Sequence, residues 1–115
     1  MTMGPFAEFI RKLPEVDSPL ASLRGWLLQG EQALAMFFEI PDGVTVPEHA
    51  HGAQWGVVLQ GSMELTIGGE TTTYGPGDTY SVPDSAAHSA VIHPGFAGID
   101  VFADPDRYRA RKPSL

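Results

Sequence analysis

Three of the chain's four histidines fall in two places, His49-Ala50-His51 and His88. In a strand, residues two apart point to the same face, so the imidazoles of His49 and His51 can converge on one ion. Gln54 follows just before the apolar stretch 55–59, and its side-chain oxygen is a neutral donor that can complete such a site. His88 comes after the turn Pro83-Asp84-Ser85-Ala86-Ala87, where an antiparallel neighbour would bring it opposite the first pair. Neutral imidazole is the commonest metal ligand among side chains. Three nitrogens and one oxygen leave positions open for water or substrate on a six-coordinate ion. Taken alone, His-x-His suits two surface or hydrogen-bonded histidines as well as a metal site, and the pattern leaves both readings open.

The composition narrows the chemistry further. The chain has 115 residues, the size of one ordinary domain, and no cysteine. Disulfides and thiolate metal sites are therefore excluded, and any metal must sit on nitrogen and oxygen. The formal net charge of −7 repels phosphate backbones and argues against nucleic-acid binding. No apolar run approaches the roughly 18 residues of a membrane span, and Glu8 interrupts the N-terminal stretch. A soluble cytoplasmic protein is the expectation.

The elements that must position these residues are mostly strands. Thirteen glycines and ten prolines are spread along the chain, as in many short strands joined by turns. Residues 6–13 suit one short helix ended by Pro14, followed by a loop to Pro19. Period-two alternation then begins. Leu34, Met36, Phe38 and Ile40 define one face of 33–40, with 23–28 as the preceding strand. Further strands are expected at 54–59, 62–67, 71–74, 79–82, 88–93 and 96–102. Gly61 marks a bend, and Gly68-Gly69 a type I′ hairpin. After Asp106 the chain turns basic, with Arg107, Arg109, Arg111 and Lys112 read as a solvated tail or a contact to a partner subunit. The expected organisation is an N-terminal extension (1–20), a β-barrel domain (21–106) and a basic tail (107–115).

Two segments carry a family resemblance. Residues 43–61 read GVTVPEHAHGAQWGVVLQG, and residues 77–88 read GDTYSVPDSAAH. These resemble the first and second motifs of the cupin family, with Gly43, His49, His51, Gln54 and Gly61 in the first and Gly77, Pro83 and His88 in the second. The resemblance implies an all-β, single-domain jelly-roll barrel. It also implies one divalent transition-metal ion (Mn, Fe, Co, Ni, Cu or Zn) held by His49, His51, Gln54 and His88. Small cupins commonly form homodimers, and the exposed edge of a short jelly roll gives a reason for pairing. The chain departs from the family pattern in places. Gln54 replaces the usual carboxylate and lies one residue closer to His51 than in many members, Ser85 stands where glycine is usual, and Ile92 where asparagine is frequent. Neutral ligands leave the full charge on the ion, which favours Lewis-acid chemistry over oxygen-dependent redox chemistry.

The stretch Ile99-Asp100-Val101-Phe102, with Arg107 soon after, is similar to the last strand of small cupins acting on unsaturated uronates. That likeness makes Asp100 a candidate acid or base and Arg107 a candidate partner for a substrate carboxylate. The alternatives are a structural hydrogen bond for Asp100 and a solvated Arg107. Tyr80, in the second motif, is a third candidate, with rim packing as its alternative. Trp26, Trp55, Phe37 and Phe38 read as core or dimer packing. His93 reads as a surface turn residue, and Glu48 as pointing away from the ion. The expected function is metal-dependent isomerisation or tautomerisation of a small anionic or hydroxylated substrate such as a sugar acid. A non-catalytic small-molecule-binding cupin and a metal-dependent dioxygenase are the alternatives.

Overall fold

The computed structural model describes residues 4–112. One helical turn, α1 (Glu8–Arg11), precedes the strands β1 (Val16–Asp17), β2 (Arg24–Gln29), β3 (Leu34–Ile40), β4 (Val44–His49), β5 (Gln54–Gln60) and β6 (Met63–Ile67). The strands β7 (Glu70–Tyr74), β8 (Thr79–Val82), β9 (His88–Ile92), β10 (Phe96–Phe102) and β11 (Arg109–Ala110) follow. Five of them form a sheet in the order β2-β3-β10-β5-β8, and four form a second sheet in the order β4-β9-β6-β7. Neighbouring strands are antiparallel throughout. Alternate residues of both sheets point into a shared core that includes Leu34, Met36, Phe38, Val58, Met63, Leu65 and Phe96. The architecture is the all-β jelly-roll barrel expected from the sequence.

Register explains which side chains reach the interior. Leu27, Met36, Asp100, Gly56 and Tyr80 form one row across the five-stranded sheet. Leu34, Phe102, Gln54 and Val82 form the next. In the four-stranded sheet, Val46, Ala90 and Leu65 form one row, and His49, His88 and Ile67 another. Val46 and His49 are three apart, yet both pair into these rows because the β4–β9 register shifts between them. The extra residue falls at Pro47-Glu48, where Pro47 has no N–H to give to a ladder.

The turns follow the sequence closely. Gly68 (φ 58°) and Gly69 (φ 83°) close the β6–β7 hairpin with both residues left-handed, the type I′ geometry. Gly61 has φ 76°, and a Cβ there would lie 2.9 Å from the Gly95 carbonyl oxygen. Asp78 accepts a hydrogen bond from the Gly75 N–H at 2.8 Å and pins the turn before β8.

Both ends differ from the sequence reading. The helix is one turn and not eight residues, because Phe6 is drawn into the barrel's outer packing, edge-on to Trp26 and Phe37 at 6.0 and 5.8 Å. Arg11 Nη1 bonds Glu39 at 2.8 Å and so anchors the turn on β3. The basic segment is not simply a solvated tail. Its residues Arg109 and Ala110 pair with Asp17 and Val16, so β1 and β11 form a small two-stranded sheet. Two-residue strands have no period to read, and long-range pairing alone makes them.

Candidate metal centre

His49 ends β4, directly opposite His88 at the start of β9. His51 lies beyond the strand end, so it reaches the site through loop geometry and not through the pleat. The Ser85 N–H donates to the His51 carbonyl at 2.8 Å and ties the two histidine segments together. Ser85 has φ 63°, so a non-glycine residue carries the left-handed backbone here. The rings meet closely: centroids of His49 and His88 are 4.2 Å apart, His51 and His88 4.7 Å, and His49 and His51 5.1 Å. One ligand nitrogen from each lies within 4.8 Å of the others.

The tautomers suit a cation. His49 Nδ1 faces the Pro47 carbonyl at 2.9 Å, His51 Nδ1 the Gly52 carbonyl at 2.7 Å, and His88 Nδ1 the Ala86 carbonyl at 2.8 Å. A carbonyl only accepts, so each Nδ1 carries the proton and each Nε2 keeps a lone pair. Burial lowers the pKa of His51 and His88, and the positive charge of Arg107 adds to this. Neutral imidazoles are the form a metal requires. The donor set therefore fits a divalent transition metal. His93 lies elsewhere, bonded to Glu64 at 2.9 Å and half-exposed, as a surface turn residue would be.

The three histidines line a cavity of about 80 Å³ together with Gln54, Asp100, Tyr80 and Arg107. Asp100 is buried on β10 and accepts two hydrogen bonds. Gln54 Nε2 donates to its Oδ2 at 3.0 Å, and the Tyr80 hydroxyl donates to its Oδ1. Tyr80 sits on β8, two strands away from β10, with β5 between them. It reaches Asp100 across Gly56, where an added Cβ would collide with both Asp100 Oδ1 and the Tyr80 ring. Burial pushes the Asp100 carboxyl up to about 7, although the bonds from Tyr80 and Gln54 pull it down. Burial beside Asp100 also raises the Tyr80 hydroxyl well above its ordinary range.

Arg107 follows β10 and turns its guanidinium over the Tyr108 ring at 4.5 Å and the Phe102 ring at 5.9 Å. Its Nε is buried without a hydrogen-bond partner, and no carboxylate pairs with it among the described residues. Tyr108, Leu20 and Leu23 also line the cavity, and no motif marks them in the sequence. Tyr108 adjoins Arg107 in a segment whose basic character is its only sequence signal. Glu48 is exposed, and Asp104 accepts from the Asp106 N–H at 2.8 Å in a local turn.

The sequence profile of the Cupin domain family matches residues 36–95. The chain belongs to the cupin family. Among solved structures it is similar to an RmlC-like cupin from Shewanella frigidimarina NCIMB 400, with a TM-score of 0.73 and 25% identity over 93% of this chain and 94% of that one. It is also similar to KdgF from Halomonas sp., with a TM-score of 0.66 and 23% identity over 84% of this chain and 86% of that one. A variant oxalate decarboxylase of Bacillus subtilis aligns with a TM-score of 0.67 and 20% identity, over 84% of this chain and 29% of that one. No curated protein matches the sequence. No helix among the described residues is long and apolar enough to cross a membrane.

Proposed function

We propose that this cupin holds one divalent transition-metal ion on His49, His51, His88 and Gln54. On this reading it is an enzyme that moves a proton within a small anionic or hydroxylated substrate, such as a sugar acid undergoing isomerisation or tautomerisation. When bound, the ion supplies Lewis acidity that polarises a substrate oxygen. The observation that carries the catalytic half is Asp100, a carboxyl buried in the same cavity as the histidines. Burial brings its pKa to about 7, and a general acid or base works best with a pKa near the operating pH. The Tyr80 hydroxyl holds Asp100, and Arg107, which lines the same cavity with its Nε lacking a hydrogen-bond partner, is the cation for a substrate carboxylate. A cavity carboxyl with a pKa near neutrality is suited to exchanging a proton, which favours the enzyme reading. The likeness of the last strand to cupins acting on unsaturated uronates gives the first substrates to try.

Metal analysis of the purified protein beside a His49→Ala/His51→Ala variant tests the site. About one ion per chain in the wild type, lost in the variant, is the expected result. Unsaturated uronates are then followed by NMR with metal at saturation. Asp100→Asn is expected to lower turnover at least ~100-fold, and Arg107→Ala to raise KM on the order of 10-fold. Undiminished turnover in Asp100→Asn removes Asp100 from the mechanism.

The homodimer expected from the sequence has a candidate surface on the outer face of the five-stranded sheet. Leu28, Ala35, Val101 and Trp55 form one apolar row there, beside Ile99 and Val57. Leu28 is 56% exposed and Trp55 45%. The N-terminal turn covers Trp26 and Phe37 on this face and leaves these residues open. A second copy would bury them.

A further inference from the structure

We infer that Asp100 is the positioning residue of the metal site: it decides which end of the Gln54 amide faces the three histidines. The inference rests on the metal reading above and concerns how the fourth ligand is made competent. The two ends of a glutamine amide are almost the same size and shape, but only the oxygen can bind a cation. The NH2 has no lone pair to give. A glutamine in a ligand position therefore needs something to choose its orientation, whereas a glutamate, with two oxygens, does not.

Asp100 makes that choice. With the Tyr80 hydroxyl donating to Oδ1, Oδ2 stands as an acceptor toward Gln54, which turns Nε2 to it in a 3.0 Å bond. The planar amide then carries Oε1 away from Asp100. Gln54, Asp100 and the three histidines all line one cavity, so Oε1 is the end left to serve the site. Asp100 is fixed in turn. The Tyr80 hydroxyl occupies its other oxygen, and Gly56 leaves the gap through which Tyr80 reaches it. Asp100 is buried on β10, paired with Met36 of β3 on one side and Gly56 of β5 on the other. The arrangement resembles the way a carbonyl selects the tautomer of a ligand histidine, applied to an amide.

The test is Co2+ binding by metal-free wild type, Asp100→Asn, Gln54→Glu and the Gln54→Glu/Asp100→Asn double variant. Calorimetry gives the dissociation constants, and the visible spectrum of the saturated protein reports the ligand set. In Asp100→Asn the introduced amide can turn its own NH2 toward Gln54, which then loses its bond or flips its oxygen away from the ion. Asp100→Asn is therefore expected to weaken Co2+ binding about 10- to 100-fold and to change the spectrum. In the Gln54→Glu background the sign reverses. The introduced glutamate sets two carboxylates together when Asp100 is kept. In the double variant the introduced asparagine donates to one oxygen of that glutamate and leaves the other for the ion. The double variant is expected to bind Co2+ more tightly than Gln54→Glu alone.

Unchanged affinity in Asp100→Asn overturns the inference. So does an equal loss in both backgrounds, because charge or general packing would act on either residue alike. Tyr80→Phe removes one donor while keeping the carboxylate, and it serves if Asp100→Asn does not fold. A smaller loss in the same direction supports the inference, and an unchanged constant overturns it. Failure of the wild type to bind Co2+ would instead sink the metal reading, and this inference with it.

Discussion

Asp100 illustrates how much one residue's meaning depends on its surroundings. On the surface it would be an ordinary carboxylate, but burial raises its pKa to about 7. A carboxyl whose pKa is raised on folding stabilises the protein below its unfolded value, near 4, and that stability is lost as pH rises through about 7. The metal-free wild type should therefore lose stability relative to Asp100→Asn across this window, by on the order of 4 kcal/mol in the limit of full burial. Urea unfolding of both proteins at several pH values measures the difference. Parallel curves would show that Asp100 titrates normally. His51 and His88 have lowered pKa values and oppose this trend in both proteins, since their contribution is lost on acidification. Only the difference between the two proteins isolates Asp100.

At the scale of the element, small backbone features decide what those residues can do. The register shift in β4 is what turns His49 inward beside Val46. Strict alternation would have put Glu48 inside and His49 outside. Gly56 in β5 plays a second such part, because its missing side chain lets β8 and β10 touch across the strand between them. Gly56→Ala should force Tyr80 and Asp100 apart and destabilise the barrel by about 1–3 kcal/mol. A thermal melt would read this as a fall of several degrees, and an unchanged Tm would mean that the strands adapt. At the N-terminus, Arg11 compensates Glu39, which is only 6% exposed. Arg11→Ala leaves that carboxylate without this partner and should cost about 1.5–3 kcal/mol in urea unfolding.

For the whole molecule, the outer face of the larger sheet is the feature that asks for a partner. Leu28 and Trp55 stand exposed across a row with no charged residue between them. The net charge of −7 opposes self-association through other surfaces, so an uncharged patch is where a second copy would seat. Sedimentation of the wild type is expected to give a dimer, and a Leu28→Asp/Trp55→Asp variant a monomer with the same circular dichroism. A wild type that stays monomeric at high concentration contradicts the proposal. Dimerisation would also leave the site open, since β5 and β10 carry the apolar row on one face and Gln54 and Asp100 on the other.

The all-β class and most strands are legible in the amino-acid order alone, whereas the jelly-roll topology and the meeting of His49, His51 and His88 are expected from the resemblance of the two motifs to the cupin family. Alternation of apolar residues, Gly68-Gly69 and the spacing of the two histidine motifs are local or regular signals, and local signals survive in one dimension. Strands β1 and β11 are not legible, because two residues hold no period. Nor is the register shift at Pro47-Glu48, which only the partner strand defines. The bond from Gln54 to Asp100 joins residues 46 apart, and the reach of Tyr80 over Gly56 spans three strands. Arg107 reads in the sequence as a partner for a substrate carboxylate or as a solvated cation, and its packing over Phe102 and Tyr108 exists only once the chain closes. These features depend on what burial removes from water and on which atoms it leaves to pair. Three-dimensional packing settles them, because desolvation and hydrogen-bond partners do not exist until the sheets have come together.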